Sequence, residues 1–208
     1  MYKNNIGGLF VAFDGPNGAG KSTLMSGIER ELKAKGVKVY ATKEPSAAVI
    51  GEFTRQISET VGKFSLACLV AADRYHHIDA EIKPKLAEGY VVMTDRYLLS
   101  SLILQQIDGV DAEFILSINN KIVLPDIQVA VMAKDAIIES RLNERKGRTR
   151  FEQKGMVLQE LEFLESGAKV IQNLGVPVTW IDNTSNLEKN ISNVANCIFE
   201  RVSLDSYK

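Results

Sequence analysis

An α/β fold, with one parallel sheet covered by helices on both faces, is predicted from three observations. Short β-branched runs recur five times along the 208 residues. Longer segments with three- and four-residue apolar spacing separate them, and the first run passes directly into a glycine-rich loop that opens a helix. Strands alternating with helices need crossover connections, hence parallel strands buried on both sides. No internal repeat or low-complexity linker interrupts the pattern, so residues 1–208 are read as a single domain.

The predicted strands are Leu9–Phe13, Val37–Thr42, Tyr90–Thr94, Ile127–Ala133 and Val178–Ile181. Ser22–Lys35 reads as a helix that starts at the glycine loop and stops at Gly36. Phe64–Ala87 reads as one long helical stretch, and a second helix follows Tyr97. Val157, Leu161, Leu164, Ala168 and Ile171 mark the buried face of a late helix; Ile191, Val194, Ile198 and Val202 mark another.

With 45% apolar and 25% charged residues, the chain has material for a sizeable core. A net charge of −1 excludes a surface that coats nucleic acid, so any anion must be held by a local basic cluster. Cys68 and Cys197, in apolar helical contexts, read as two reduced core thiols. The opening "MYKNNIGGLF" is neither a signal peptide nor a membrane span. The expectation is a cytoplasmic protein with no membrane partner.

Gly15-Pro16-Asn17-Gly18-Ala19-Gly20-Lys21-Ser22, continued by Thr23, satisfies the phosphate-loop pattern between a strand and a helix. Glycines let backbone N–H groups converge on phosphate oxygens, and the helix adds its positive N-terminal end. Lys21 can reach the β- and γ-phosphates, and the Ser22 hydroxyl suits Mg²⁺. The motif implies a nucleoside triphosphate with its metal.

A guanine-reading Asn-Lys-x-Asp is missing, because "NNKIVLPD" puts Val123 where the aspartate belongs. A motor or nucleic-acid ATPase would need more chain and a basic track. A small-molecule kinase remains, and the arginines support it. Asp95 and Arg96 end an apolar strand, where ligands gather in doubly wound sheets. Arg74 lies inside a helix among small neighbours, and Arg55 closes "EFTR". "SRLNERKGRTRFE" holds Arg141, Arg145, Arg148 and Arg150. Arg141 and Arg145 share one helical face, Gly147 breaks the helix, and the four cations repel each other unless an anion sits between them. Residues of about 141–155 therefore read as a lid over transferring phosphates.

In these segments, taken in order, the chain resembles the thymidylate kinase family of nucleoside monophosphate kinases. The resemblance rests on "FDGPNGAGKST", "KEP" at Lys43-Glu44-Pro45, "GEFTR", "AADR", "DRYLLSSLILQ" and "RKGRTRFE". It implies a five-stranded phosphate-loop fold, usually a homodimer, that moves the γ-phosphate of ATP to dTMP with Mg²⁺. It also implies roles. The phosphate loop from Gly15 to Thr23 holds ATP, and Ser22 and Asp95 serve the metal. Arg55, Arg74 and Arg96 grip the acceptor phosphate, Gln105 reads the base, and Glu44, Val70 and Ser101 line the acceptor site. Arg145 and Arg150 match the lid arginines and Glu152 the lid acid. No base lies in the phosphate loop, so the catalytic arginine is expected from the lid. His76-His77 lacks a third metal partner and reads as helix surface.

Three departures fall on the nucleoside side of the acceptor. Val70 stands where the family stacks a phenylalanine on thymine, Asn17 where it has an acid for the sugar hydroxyl, and Leu104 where it often has a tyrosine. "EPSAA" replaces Glu-Pro-Gly-Gly-Thr. Leu69 or Phe64 is a candidate to fill the missing aromatic's place. Three readings follow: a dTMP kinase, a kinase of another or modified nucleoside monophosphate, and a nucleotide-binding regulatory protein without turnover. Intact Lys21, Ser22, Asp95 and Arg150 argue against the last.

Overall fold

The computed structural model describes residues 1–144, 151 and 155–205. Five strands form one parallel sheet: β1 (Leu9–Asp14), β2 (Val39–Lys43), β3 (Val91–Asp95), β4 (Ile127–Met132) and β5 (Val178–Asp182), in the order β2-β3-β1-β4-β5. All five predicted strands are present, each within two residues of its expected ends.

Alternation along β1 sorts the core into two layers. Phe10 and Ala12 face one side, with Ile78, Leu99, Leu102 and Leu164. Leu9, Val11 and Phe13 face the other, with Leu24, Ile28, Ile191, Val194 and Ile198. That second side is covered by α1 (Lys21–Ala34) and α9 (Leu187–Asp205). The two helices meet at Gly27, where a Cβ would stand 2.7 Å from Ile191 Cγ1. The first side is covered by α3 (Lys63–His77), α5 (Leu98–Ile107) and α8 (Met156–Asn173).

The stretch read as one helix over Phe64–Ala87 is three consecutive pieces: α3, a π-helical turn at Ile78–Ile82, and α4 (Lys83–Ala87). Pro84 accounts for the change of register, since it has no N–H and its ring crowds the carbonyl of Ala80. α2 (Val49–Ile57), α6 (Ala112–Ile118) and α7 (Asp135–Asn143) complete the helices among the described residues.

Two expectations are corrected. Cys68 and Cys197 are exposed, because each lies on the outward face of its helix. Of the histidine pair only His76 is at the surface; His77 is fully buried. Consecutive residues on a helix point about 100° apart, so one of such a pair can face the core.

Candidate active site

The C-terminal ends of β1, β2 and β3 lie level, with Phe13 beside Asp95 and Lys43 beside Asp95 in the registers. The loops leaving these ends build the site. Asp14 sets its frame: Oδ1 accepts from the backbone N–H groups of Tyr97, at 2.8 Å, and Ser100, at 2.9 Å. A carboxylate so placed caps the start of α5 and favours its positive end. Gln128, buried on β4, donates to Asp14 Oδ2 at 2.9 Å and fixes the carboxylate.

The phosphate loop follows β1. Gly15 has φ +152° and sits against Val131, whose backbone carbon would be 3.0 Å from any Cβ, so only glycine fits. α1 then starts with no side-chain cap and no acid in its first turn, leaving its N–H groups for phosphate oxygens. Asn17, Gly18, Gly20, Lys21, Ser22, Thr23, Asp95 and Arg96 line one cleft here. Gly15 and Ala19 shape the loop from behind. Lys21 Nζ donates to the Gly15 and Pro16 carbonyls at 2.9 and 2.8 Å. Asn183 Nδ2, from the loop after β5, donates to the Ala19 carbonyl at 2.9 Å. Burial, with Arg96 nearby, pushes the Lys21 ammonium down to about 7.

Ser22 Oγ donates to Asp95 Oδ2 at 2.5 Å, while Asp95 Oδ1 is buried with no hydrogen-bond partner among the described residues. An acceptor-only oxygen left over beside a hydroxyl at a triphosphate loop fits a hard divalent cation that keeps most of its water. The donor set suits Mg²⁺.

A second cleft, of about 220 Å³, opens beside the first. Glu44, Arg55, Val70, Arg74, Ser101, Leu104 and Gln105 line it, together with Asn17 and Arg96, which line both clefts. The acceptor-side residues expected from sequence are thus brought together. Arg96 stands at the junction with φ +78°, unusual for a side-chain-bearing residue. Its N–H donates to the Phe13 carbonyl at 2.9 Å, and its own carbonyl accepts from Thr94 Oγ1 at 2.9 Å, so both flanking peptides are held. Its guanidinium reaches Asn17 Oδ1 at 2.6 Å. Arg55 donates to the carbonyls of Pro45, at 2.5 Å, and Ser46, at 2.8 Å.

Arg74 is nearly fully buried. It donates to Glu44 Oε2 at 2.8 Å, Asn119 Oδ1 at 2.7 Å, the Tyr97 carbonyl at 3.0 Å and Ser101 Oγ at 2.9 Å. Its charge is compensated by Glu44, so it offers direction more than net charge; Arg55 and Arg96 supply the uncompensated cations. Deeper in the cleft, Gln105 is buried and its Oε1 has no hydrogen-bond partner among the described residues.

Neither Leu69 nor Phe64 takes the place of the missing aromatic. Phe64 is 46% exposed and packs edge-on against Phe114, and neither residue lines the cleft. The aromatic ring there, besides that of Tyr97, is Phe151. Arg145, Arg148, Arg150 and Glu152 lie outside the described residues. Arg141 sits near the end of α7 and binds the loop itself, donating to the Gly18 carbonyl at 3.3 Å and the Asn183 carbonyl at 3.1 Å.

Sequence reasoning missed Asn183 and Glu160. Asn183 follows the fifth strand, the same signal that singled out Asp95. Glu160 of α8 is buried, and its Oε2 accepts the Asn17 N–H at 2.9 Å. An acid three residues after Val157, on the apolar face of that helix, is the readable sign.

A sequence profile of the family described as "Thymidylate kinase" matches residues 13–191. The "Probable thymidylate kinase" of Caldivirga maquilingensis is 41% identical over 141 residues, 66% of this chain and 69% of the relative. That of Pyrobaculum aerophilum is 38% identical over 146 residues, 69% of this chain and 74% of the relative. The "Thymidylate kinase" of Caldicellulosiruptor saccharolyticus is 36% identical over 143 residues, 65% and 69% of the two chains. With its paired clefts and a match over most of its length, the chain belongs to the thymidylate kinase family.

Proposed function

We propose that the chain is a nucleoside monophosphate kinase that transfers the γ-phosphate of ATP to dTMP, giving ADP and dTDP. The observation that carries this reading is that a phosphate-loop cleft and a cleft lined by arginines and Gln105 meet at Asn17 and Arg96. Donor and acceptor phosphates held in the two clefts would face each other there. A phosphate monoester with a second pKa of about 6 is already ionised at pH 7, so no strong general base is needed. What must be overcome is the repulsion of two anions held in line.

Lys21 takes the β- and γ-phosphates, Arg55 and Arg96 the acceptor phosphate, and Gln105 the base edge, with Arg74 and Ser101 bounding the pocket between them. Ser22 and Asp95 would hold Mg²⁺, which when bound neutralises charge on the transferring phosphate. Arg145 and Arg150 are assigned to a lid that adds cations as charge spreads over the transferring group. The protein is taken to act as a homodimer on free nucleotides in the cytoplasm. No described helix is long and apolar enough to cross a membrane.

A second acceptor remains in play for one reason: Val70 and Leu104 face the nucleoside end of the cleft where stacking groups are expected. A lost stack removes about 1–3 kcal/mol, or one to two decades of discrimination. ADP release measured over the common nucleoside monophosphates tests both. Turnover highest with dTMP supports the proposal. Turnover highest with another monophosphate moves the acceptor assignment, and no turnover with any ends the kinase reading.

A further inference from the structure

Behind the acceptor cleft runs a chain of buried polar groups that none of the assigned roles uses. Tyr40 on β2 donates its hydroxyl to Glu81 Oε2 at 2.7 Å. Thr42 Oγ1, two residues along the same strand face, lies 3.2 Å from Glu81 Oε2 and 2.8 Å from His77 Nε2. His77 Nδ1 lies 3.3 Å from Glu44 Oε1, and Glu44 Oε2 accepts from Arg74 Nε at 2.8 Å. The sequence of contacts passes from β2 and the π-helical turn to the wall of the cleft. Glu44 and Arg74 line that cleft; His77, Thr42, Tyr40 and Glu81 do not.

The hydrogen-bond bookkeeping gives His77 a definite task. An ionised Glu44 only accepts, so Nδ1 of His77 carries a proton and donates it. The terminal torsion of a glutamate is broad, so one bond to Arg74 does not fix the plane of the carboxylate. A second bond, to the other oxygen, does. Arg74 meets Glu44 through a planar guanidinium, and that plane sets where its remaining N–H groups aim. His77 is itself held at Nε2 by Thr42. His77 ends α3 just before the widened turn, which brings Glu81 to 3.7 Å from Nε2 and closes the ring's far edge.

We propose that His77 is a positioning residue for the acceptor: it clamps the Glu44 carboxylate so that Arg74 presents a fixed edge to the bound nucleotide. The inference rests on the reading that this cleft takes the nucleoside monophosphate. His77 touches no substrate and acts only through Glu44 and Arg74.

Its test exploits the difference between the two ring nitrogens. The side-chain nitrogen of asparagine falls near the position of Nδ1, and that of glutamine near Nε2. His77→Asn keeps a donor for Glu44, and His77→Gln does not, although both are neutral and polar. His77→Gln is expected to raise the acceptor KM about tenfold, with the ATP KM unchanged. His77→Asn should restore it to within about twofold of the parent. Thr42→Val, which frees the far edge of the ring without touching His77, should raise the acceptor KM several-fold and serves if a His77 variant fails to fold. Equal acceptor KM values in His77→Gln, Thr42→Val and the parent would overturn the proposal, as would equal losses for both nucleotides. Arg74→Lys is measured in parallel. If it raises the acceptor KM while the His77 and Thr42 variants do not, only the positioning role fails. If it leaves the acceptor KM untouched, the reading of the cleft fails as well.

Discussion

Lys21 sits 6% exposed between two carbonyls it donates to, with no carboxylate in direct contact. Loss of water and the neighbouring Arg96 bring its ammonium down to about 7 from 10.5. Between those two values the unfolded chain holds a proton that the folded protein has released. The group's contribution to stability therefore rises with pH across that window and is lowest below about 7. A bound triphosphate reverses the preference, because its charge favours the ammonium. At pH 8 nucleotide binding should take up close to one proton, and at pH 6 Lys21 should contribute none. Titration calorimetry at pH 8 in two buffers of different ionisation enthalpy reads this directly, and Lys21→Met should abolish the difference. Identical heats in both buffers for the parent protein would remove the proposed contact. Other residues show how far such detail is legible in sequence. "TDR" at a strand end announces Asp95 and Arg96, but not the left-handed backbone that Phe13 and Thr94 impose from other segments. "HH" in a helix announces two polar residues, yet only the π-helical turn and Glu44 decide that one is buried.

At the scale of elements, what is legible depends on length and on caps. The strands and α1, α5, α8 and α9 carry either a motif or a long apolar period, and each lies within a few residues of its expected place. α2 and α6 run nine and seven residues, too short to hold without tertiary contacts, so local pattern alone does not reveal them. α2 is held instead from below. Gly51 passes so close to Ser46 and Asp73 that any Cβ would stand 2.8 Å from Asp73 Oδ1. Ser46, in the "EPSAA" departure, clamps Asp73 through its N–H at 2.6 Å and its hydroxyl at 2.5 Å. The opposite face of α2 is apolar and bare: Val49 is 85% and Phe53 50% exposed, with Phe64 of α3 at 46%. A contiguous patch of this kind is what a second copy would cover. If the homodimer forms here, Phe53→Glu should convert a dimer to a monomer by light scattering, while Trp180→Glu on β5 should not. A parent protein that runs as a monomer at micromolar concentration would end the dimer proposal, and a dimer indifferent to Phe53→Glu would move the interface elsewhere.

For the whole molecule, strand order decides everything that the motifs cannot. No local pattern says that β3 lies between β1 and β2, yet this neighbour relation puts Asp95 level with the phosphate loop and Glu44 one strand further out. The result is two clefts sharing Asn17 and Arg96 rather than one large pocket. That arrangement has a thermodynamic consequence independent of turnover. A ligand at 100 times its Kd stabilises a folded protein by about 2.7 kcal/mol. In a chain of this size, about 2–4 °C of melting temperature accompanies each kcal/mol, so each nucleotide alone should raise the midpoint by about 5–11 °C. Separate clefts require the two shifts to add when a non-hydrolysable ATP analogue and dTMP are present together. A single shared pocket would make them compete, and the second ligand would then add nothing. Differential scanning fluorimetry with each nucleotide and with both distinguishes the cases. Additive shifts for dTMP, and smaller ones for other monophosphates, would tie the second cleft to its acceptor. No added shift from dTMP over the analogue would show that the groups around Arg74 and Gln105 do not form its site.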